Sequence, residues 1–459
     1  MTALPNSPHQ RDIAYHLHPY TNARRHQEAG PLVIERGEGV FVFDDAGNRY
    51  LEAMAGLWSV ALGFSEPRLV DAARMQMSTL PYYHTFTHKS HGPVIDLAEK
   101  LVQLAPVPMS KVFFTNSGSE ANDAAIKLVW YRSNALGQPR KKKIISRKRG
   151  YHGVTALSAS LTGLPYNHTS FDLPLPGILH TACPHFWREG RPGETEEEFS
   201  TRMAEELEQL ILDEGPETVA AFIGEPLMGA GGVVVPPKSY WEKVQAVLKR
   251  HDVLLVADEV INGFGRTGRM WGSQTFGLAP DILVTSKQLS SSYLPISAVL
   301  VNEKVFEPVA DESNRIGTLG QGVTGAGHPV AAAVALENIR IIEERGLVAR
   351  AAEIGGYMQK RLRELEGHPL VGEVRGLGLI AAVELVADKT ARTPWQAPAK
   401  LGLLANGFLQ RRGVISRAAV DALCFCPPLI VSHDEIDFMV EALRGALDDA
   451  AGGIGAKAA

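Results

Sequence analysis

Two residues of this chain suggest chemistry by their type and spacing. Lys287 closes the apolar stretch Asp281-Ile-Leu-Val-Thr-Ser-Lys287, which reads as a buried strand, and Asp258 closes another, Val253-Leu-Leu-Val-Ala-Asp258. They stand 287 − 258 = 29 residues apart, one strand–loop–strand unit. A lone lysine is usually solvated. Lys287 instead follows an apolar strand, sits among Thr285, Ser286, Ser290 and Ser291, and has no acid beside it in sequence. In such a pocket an amine has a lowered pKa and becomes a nucleophile. It would form a Schiff base with an aldehyde cofactor, while Asp258 would keep that cofactor's ring nitrogen protonated.

Other segments offer what such a cofactor needs. Thr115-Asn-Ser117-Gly118-Ser119 follows a strand and opens a helix, where backbone N–H groups freed by small residues can bind a phosphate. Ser119 as a plain N-cap is the competing reading. Tyr151-His152-Gly153 follows the strand that begins at Ile144 and could stack a flat ring on the cofactor, with core packing as the alternative. Glu225-Pro226 ends a further strand, and a carboxylate buried there is costly unless paired.

The elements that position these residues alternate. Strands are expected at 111–114, from 144, at 219–225, 253–260, 282–285 and 296–301, with helices at 94–104, 119–134, 195–212 and 240–250. Thr195 with Glu198 forms a capping-box pattern. Alternation of this kind predicts a mostly parallel sheet covered on both faces, with ligands at the carboxyl ends of its strands. Lys287, Asp258 and Glu225 all fall there. Upstream, residues 1–30 read as an irregular arm, and 32–36 with 39–43 as a small antiparallel sheet turned by Asp45-Ala-Gly47-Asn-Arg49. Downstream come helices at 330–345, 348–365, 398–410 and 433–450, a strand at 379–385, and a frayed tail at 451–459.

Bulk composition excludes several classes. The 459 residues are 45% hydrophobic and 21% charged, an ordinary globular composition for two or three domains. A net charge of −5 gives no reason to expect nucleic acid, and no apolar run is long enough to suggest a membrane span. The basic cluster Arg140-Lys-Lys-Lys143 with Arg147-Lys-Arg149 reads as a solvated loop after a helix end. The polar start of the chain has no signal-peptide core. The cysteines Cys183, Cys424 and Cys426 are too few for a disulfide framework and fit a reducing cytoplasm, with Cys424 and Cys426 as small apolar residues on one strand face. No metal is expected.

Together these segments resemble the class III (ω-) aminotransferases, a fold-type I family dependent on pyridoxal 5′-phosphate. The match rests on Asn116-Ser-Gly-Ser-Glu-Ala-Asn122, Tyr151-His-Gly153, Gly224-Glu-Pro226, Ala257-Asp-Glu-Val260 with Gly263-Phe-Gly-Arg-Thr-Gly268, Ser286-Lys287, and Thr324 with Gly327-His-Pro329. It implies an α/β fold with a mostly parallel seven-stranded sheet in a large domain, and a smaller α+β domain built from both termini. The expected division is an arm and part of the small domain at 1–60, the cofactor domain at 61–330, and the rest of the small domain at 331–459. It implies Ser117, Gly118 and Ser119 around the phosphate, Tyr151 stacked on the ring, His152 and Glu225 beside it, Asp258 on the ring nitrogen, and Val260 or Ile261 on the opposite ring face. Thr324 would complete the phosphate site of a second subunit, making a homodimer obligatory and leaving a tetramer open. The cofactor would pass through its pyridoxamine 5′-phosphate (PMP) form.

Met54-Ala-Gly56-Leu57-Trp58 resembles the subgroup that uses pyruvate as acceptor and takes plain amines or ω-amino acids. There Leu57, Trp58, Phe86 and Tyr151 would wall the substrate pocket, and Arg417 would grip a carboxylate with two bonds. Gln288, where a glycine is usual, departs from the pattern. So do Val323 for an aromatic, Gly325-Ala326 for Tyr-Ser, and His84 for an asparagine. The small Val323 and Gly325 suggest a roomier pocket. Competing readings are a 4-aminobutyrate or diamine transaminase using 2-oxoglutarate, a decarboxylase, epimerase or aminomutase of the same family, and a non-enzymatic protein with a decayed site. A nicotinamide dehydrogenase would need a Gly-x-Gly-x-x-Gly that Ser117-Gly-Ser119 does not supply.

Overall fold

The computed structural model describes residues 6–395 and 400–458. At its centre is a seven-stranded sheet in the order Lys111–Thr115, Ser297–Val301, Ile282–Thr285, Leu254–Asp258, Val219–Gly224, Lys143–Arg147, Ile178–Thr181. Ser297–Val301 runs antiparallel to both neighbours, and the other pairings are parallel. The apolar runs at 219–224, 254–258 and 282–285 form central strands buried at every position, as a sheet covered on both faces requires.

Alternation along the strands divides the core. Ile223, Leu254 and Val256 pack with Ala121, Ala125, Leu128 and Val129 of the helix Gly118–Ala135. Phe222, Leu255 and Ala257 pack with Phe199, Met203 and Leu207 of Glu196–Glu214 and with Trp241 and Val244 of Tyr240–Arg250. The capping box forms as its sequence suggests: Glu198 N donates to Thr195 Oγ1 at 3.2 Å, and Thr195 N donates to Glu198 Oε2 at 2.8 Å. Strand register then sets the functional edge. Gly224 pairs with Ala257 and Asp258 with Val284, so Glu225, Asp258 and Lys287 emerge together at the carboxyl ends.

Two smaller sheets flank this one. Ile34–Glu38, Phe41–Asp44 and Arg49–Glu52 form the expected antiparallel sheet, and Val414–Ile415 from the far end of the chain joins Arg49–Glu52 in parallel. Val371–Leu377, Ile380–Leu385, Ala422–Phe425 and Arg417–Ala419 form another. Only one strand of it, near 379–385, is evident from sequence, because Gly372, Gly376 and the charged Glu373 and Arg375 break the apolar pattern of its partner. Cys424 and Cys426 are both buried, on the side of the chain the period-2 spacing implied.

Three expectations need correction. Residues 6–30 are not irregular: helices Pro8–Tyr15 and Ala23–Ala29 form, each short but capped by Ser7 and Asn22 side chains that accept from Gln10 N and Arg25 N. The tail does not fray at 451, since the last helix runs His433–Ala458. The helix expected from 398 is seen as Lys400–Arg411; its first two expected residues lie outside the described ones. The basic cluster is not wholly solvated either. Lys141 is buried with its amine 3.0 Å from Asp252, and Arg147 is fully buried, its guanidinium 5.0 Å from the Trp241 ring and donating to the Glu225 carbonyl.

Trp241 ties this packing to the sheet edge, because its Nε1 donates to the Pro226 carbonyl at 2.8 Å, next to Glu225. Trp241→Phe keeps an aromatic ring, but it leaves that buried acceptor without its donor and part of the indole's space unfilled. A loss of about 1–3 kcal/mol is expected, measurable as a lower urea midpoint of the holoprotein.

Candidate active site

At the carboxyl edge the strands open onto a cleft, where ligands of such sheets collect. Lys287, Asp258, Glu225, Tyr151, His152 and the start of the helix Gly118–Ala135 line it. Lys287 follows its strand after a sharp turn, with φ +39, a conformation non-glycine residues seldom adopt. Burial pushes its ammonium below the ordinary lysine range, against the opposing pull of Asp258 and Glu225.

Asp258 is 2% exposed. Its Oδ2 accepts from His152 Nδ1 and Asn122 Nδ2, both at 2.8 Å, and its Oδ1 from Val260 N at 3.1 Å. The bond to Asp258 assigns the His152 proton to Nδ1, and the buried Nε2 has no hydrogen-bond partner among the described residues. Glu225 accepts from Tyr151 N at 3.1 Å and Gly229 N at 2.8 Å. Its carboxyl is pushed up mainly by burial, with His152 pulling it down and the nearby Asp258 adding to the rise.

At the helix start Ser117, not Ser119, is the N-cap, accepting from Glu120 N at 3.2 Å. Ser119 instead accepts from Val154 N at 3.1 Å, joining the helix to the Tyr151-His152-Gly153 loop. The first N–H groups of the helix have no intrahelical partner and carry the positive end of the dipole. A Cβ at Gly118 would come within 3.2 Å of Val260 Cγ2, so a glycine lets the two sides of the cleft approach.

The residues expected to wall the substrate pocket do not gather in the cleft of one chain. Tyr151 lines it. Leu57 and Phe86 are exposed by 55% and 43%, Thr324 is exposed, and none of the three lines the cleft. Trp58 is buried, its Nε1 without a partner, at the end of a turn in which Ala55, Gly56 and Trp58 all have positive φ. Glu52 shapes that turn by accepting from Met54 N at 3.1 Å and from Gly56 N, and burial pushes its carboxyl up to about 7. Arg417 lies on a strand of the third sheet, and its charge acts on Tyr151, Tyr166 and Lys287. Nor is the expected space at Gly325 open: a Cβ there would lie 2.7 Å from Asn116 Oδ1. Half-buried His84 stacks on Tyr83 at 4.9 Å.

Residues missed in sequence complete the picture. Tyr20 of the N-terminal arm places its ring 6.4 Å from Tyr151 and 6.3 Å from Tyr166, and its hydroxyl accepts from Asn167 Nδ2 at 2.6 Å. Burial and Tyr20 raise the Tyr151 phenol pKa. Aromatic residues far apart in sequence carry no spacing signal that could have joined them. Glu52 had none either.

The residues present fit pyridoxal phosphate. One cleft holds an amine with a depressed pKa for the aldehyde and a hydrogen-bonded carboxylate for a cationic ring nitrogen. It also holds a helix N-terminus for the phosphate and a buried imidazole nitrogen still lacking a partner. Fold and cleft define a pyridoxal-phosphate-dependent transferase of fold type I. The chain belongs to the class III aminotransferases, whose family model matches residues 21–447. It is 63% identical to the ω-transaminase from Pseudomonas jessenii solved in complex with PMP, which it overlays at TM-score 0.97 over 98% of this chain and 99% of that one. It is 70% identical to a transaminase solved with L-Ala, at TM-score 0.91 over 92% of this chain and 100% of that one. Gamma-aminobutyrate transaminase 1, mitochondrial, of Oryza sativa subsp. japonica is 49% identical over 94% of this chain and 84% of its own length.

Gly153 tests the phosphate cradle. It has φ +131, and a Cβ there would lie 2.5 Å from Ser119 Oγ and 2.8 Å from Ser119 Cα. Gly153→Ala is expected to weaken cofactor binding at least about tenfold, or 1.4 kcal/mol, when the apoprotein is titrated and followed by absorbance.

Proposed function

We propose that this aminotransferase moves the amino group of an amine or ω-amino acid to pyruvate, yielding alanine and an aldehyde or ketone. The observation that carries the reading is Lys287 and Asp258 in one cleft, with the Arg417 charge acting on both Lys287 and Tyr151. The Met54–Trp58 segment and the likeness to ω-transaminases, one of them solved with L-Ala, support the pyruvate side. Transfer to 2-oxoglutarate, as a gamma-aminobutyrate transaminase reading would have it, rests on lower identity.

Bound in the cleft, the cofactor supplies an aldehyde to hold the amine and a cationic ring to take up electrons from its carbon. The N–H groups at Gly118 and Ser119, together with Ser117, would hold the phosphate. Tyr151 would cover one ring face, and Val260 or Ile261 the other. Asp258, fixed by His152 and Asn122, would keep the proton on the ring nitrogen, and Glu225 orients the Tyr151 loop through Tyr151 N. Lys287 would supply the amine that the aldehyde takes up with loss of water and, once freed by an incoming amine, would serve as general base at the substrate carbon. Burial lowers the pKa of Lys287, which favours its proton-accepting form. Arg417 grips the acceptor's carboxylate, and Leu57, Trp58 and Phe86 set the space for the donor.

The reading extends to a cytoplasmic homodimer. Thr324, Leu57 and Phe86 are exposed and lie outside their own chain's cleft, so a second copy supplies the cleft they serve. All three cysteines are buried and unpaired, in keeping with a reducing compartment.

Three measurements test this. Lys287→Ala should lower turnover by at least about 10³-fold, within the range for a lost general base, while the protein still folds and binds cofactor; appreciable residual transamination would sink the assignment. With an amine panel and pyruvate, alanine should form. Arg417→Ala should raise KM for pyruvate by about ten- to a hundredfold, the loss of a bidentate charged contact of about 1.5–3 kcal/mol, and leave KM for uncharged amines nearly unchanged. Glutamate formed from 2-oxoglutarate, with no alanine from pyruvate, would favour the alternative acceptor.

A further inference from the structure

The N-terminal arm holds a cluster of side chains that the transamination chemistry does not use. Asp12 lies on the helix Pro8–Tyr15, with His16 one turn later as its C-cap. His16 Nδ1 stands 3.2 Å from Asp12 Oδ2, and His18 Nε2 and His26 Nε2 stand 2.8 Å and 2.9 Å from Asp12 Oδ1. Donor atoms of Asp12, His16 and His18 all fall within 4.8 Å of one another. The ligand atoms of a tetrahedral zinc ion stand about 3.3 Å apart, at bonds of about 2.0–2.1 Å, so small side-chain shifts would close a site. The sequence suggests no metal here because the segment reads as irregular, and only the fold of the arm turns His18 and His26 back onto Asp12.

The chemistry of the set is specific. Two imidazoles and a carboxylate suit a late first-row divalent ion rather than magnesium or calcium, which prefer oxygen ligands. The Asp12 carboxylate is already gathered in by imidazoles, His16 at its Oδ2 and His18 and His26 at its Oδ1. His26, 10% exposed and with its ring tilted 39° against His18 at 4.2 Å, fixes the carboxylate from the second helix Ala23–Ala29, the role that partners of metal ligands commonly take. His16 is 59% exposed, which leaves one side open to water as a fourth ligand.

We propose that Asp12, His16 and His18 bind a divalent late first-row metal ion such as Zn²⁺, with His26 orienting the carboxylate, and that the bound ion fixes the loop that holds Tyr20 against Tyr151. Tyr20 sits in this loop, two residues after His18 and two before the N-cap Asn22, in a left-handed conformation with φ +50. Its hydroxyl is anchored by Asn167 and its ring lies beside Tyr151. An ion clamping 12, 16 and 18 would therefore restrict the segment of the arm that lies beside Tyr151, a residue of the cleft. The coupling rests on the reading of Tyr151 as a cleft residue; the binding does not.

The test uses the full-length holoenzyme without an affinity tag, stripped with a chelator and titrated with zinc chloride by calorimetry, with magnesium chloride in parallel. One zinc per chain is expected, without magnesium uptake at the same concentrations. Zinc binding should weaken at least about tenfold in His16→Ala and in Asp12→Asn, and less in His26→Gln. His16 is largely exposed, so its replacement leaves the fold intact, and the bound cofactor's absorbance confirms it. No saturable zinc uptake, or the same stoichiometry and affinity in His16→Ala, overturns the site. Zinc should also shift the KM for amine in the parent enzyme but not in His16→Ala; an unchanged KM in the parent overturns the coupling. Because calorimetry needs no turnover, its outcome is independent of which amine or acceptor the enzyme uses.

Discussion

A carboxylate must stay charged where water is almost absent, and the arrangement of the site follows from how Asp258 manages it. An anion moved into a dry interior loses several kcal/mol of solvation unless other groups replace the water. Three donors do so, and each comes from a different place: Asn122 from the helix Gly118–Ala135, His152 from the loop after Lys143–Arg147, and Val260 from the turn after Asp258 itself. They converge because the helix Gly118–Ala135 packs across the face of the sheet and, with the loop after Lys143–Arg147, meets the carboxyl end of Leu254–Asp258. Lys287 meets the same enclosure with the opposite outcome. Burial lowers the pKa of its ammonium, and the nearby Asp258 and Glu225 only partly restore it. One cleft thus holds a hydrogen-bonded carboxylate and an amine whose pKa burial lowers, environments of the kind acid–base work needs.

The distance between these two groups is kept by backbone and by Gln288. Its side chain donates to the carbonyls of Ile261 at 3.1 Å and Gly263 at 2.8 Å, and accepts from the buried Arg266 at 3.1 Å. Asn338 holds the Gln288 and Leu289 carbonyls from behind. The turn that carries Lys287 is therefore stitched to the loop that follows Asp258. A glycine at 288 could make none of the side-chain bonds, so this chain relies on a buried polar network at a position where the family pattern suggests only backbone freedom. Such a network stabilises only when its members are satisfied, and both polar atoms of the Gln288 side-chain amide have partners here.

Chemistry was more legible in the sequence than recognition. Strands ending in Asp258 and Lys287 announce themselves because a buried parallel strand is an unbroken apolar run, and the helix starting at Gly118 because small polar residues there have a backbone purpose. Within one chain the helices covering the sheet were also close to their expected bounds, since amphipathic periodicity is local. What sequence could not show depends on distant packing. Arg147 looks like part of a solvated basic run, yet it is buried because its strand runs beneath Trp241. Gly325 looks like empty space, yet Asn116 fills it. Val371–Leu377 is a strand through its pairing with Ile380–Leu385, with glycines at positions where apolar side chains would have marked it.

This division has a physical basis. The groups that handle protons sit on central strands and on the first turn of a helix, where the whole core opposes displacement. The groups that would select a substrate sit elsewhere. Trp58 ends a turn of strained backbone held by Glu52, Arg417 lies on a short strand of another sheet, and Tyr20 is carried by an arm of two short helices. Helices of seven and eight residues have little stability of their own, so Tyr20 is only as fixed as the contacts around it. A change at Glu52, Arg417 or Tyr20 can therefore alter what reaches Lys287 without disturbing the pairing of Asp258 with His152 and Asn122. In this fold, specificity can move while the reaction stays the same.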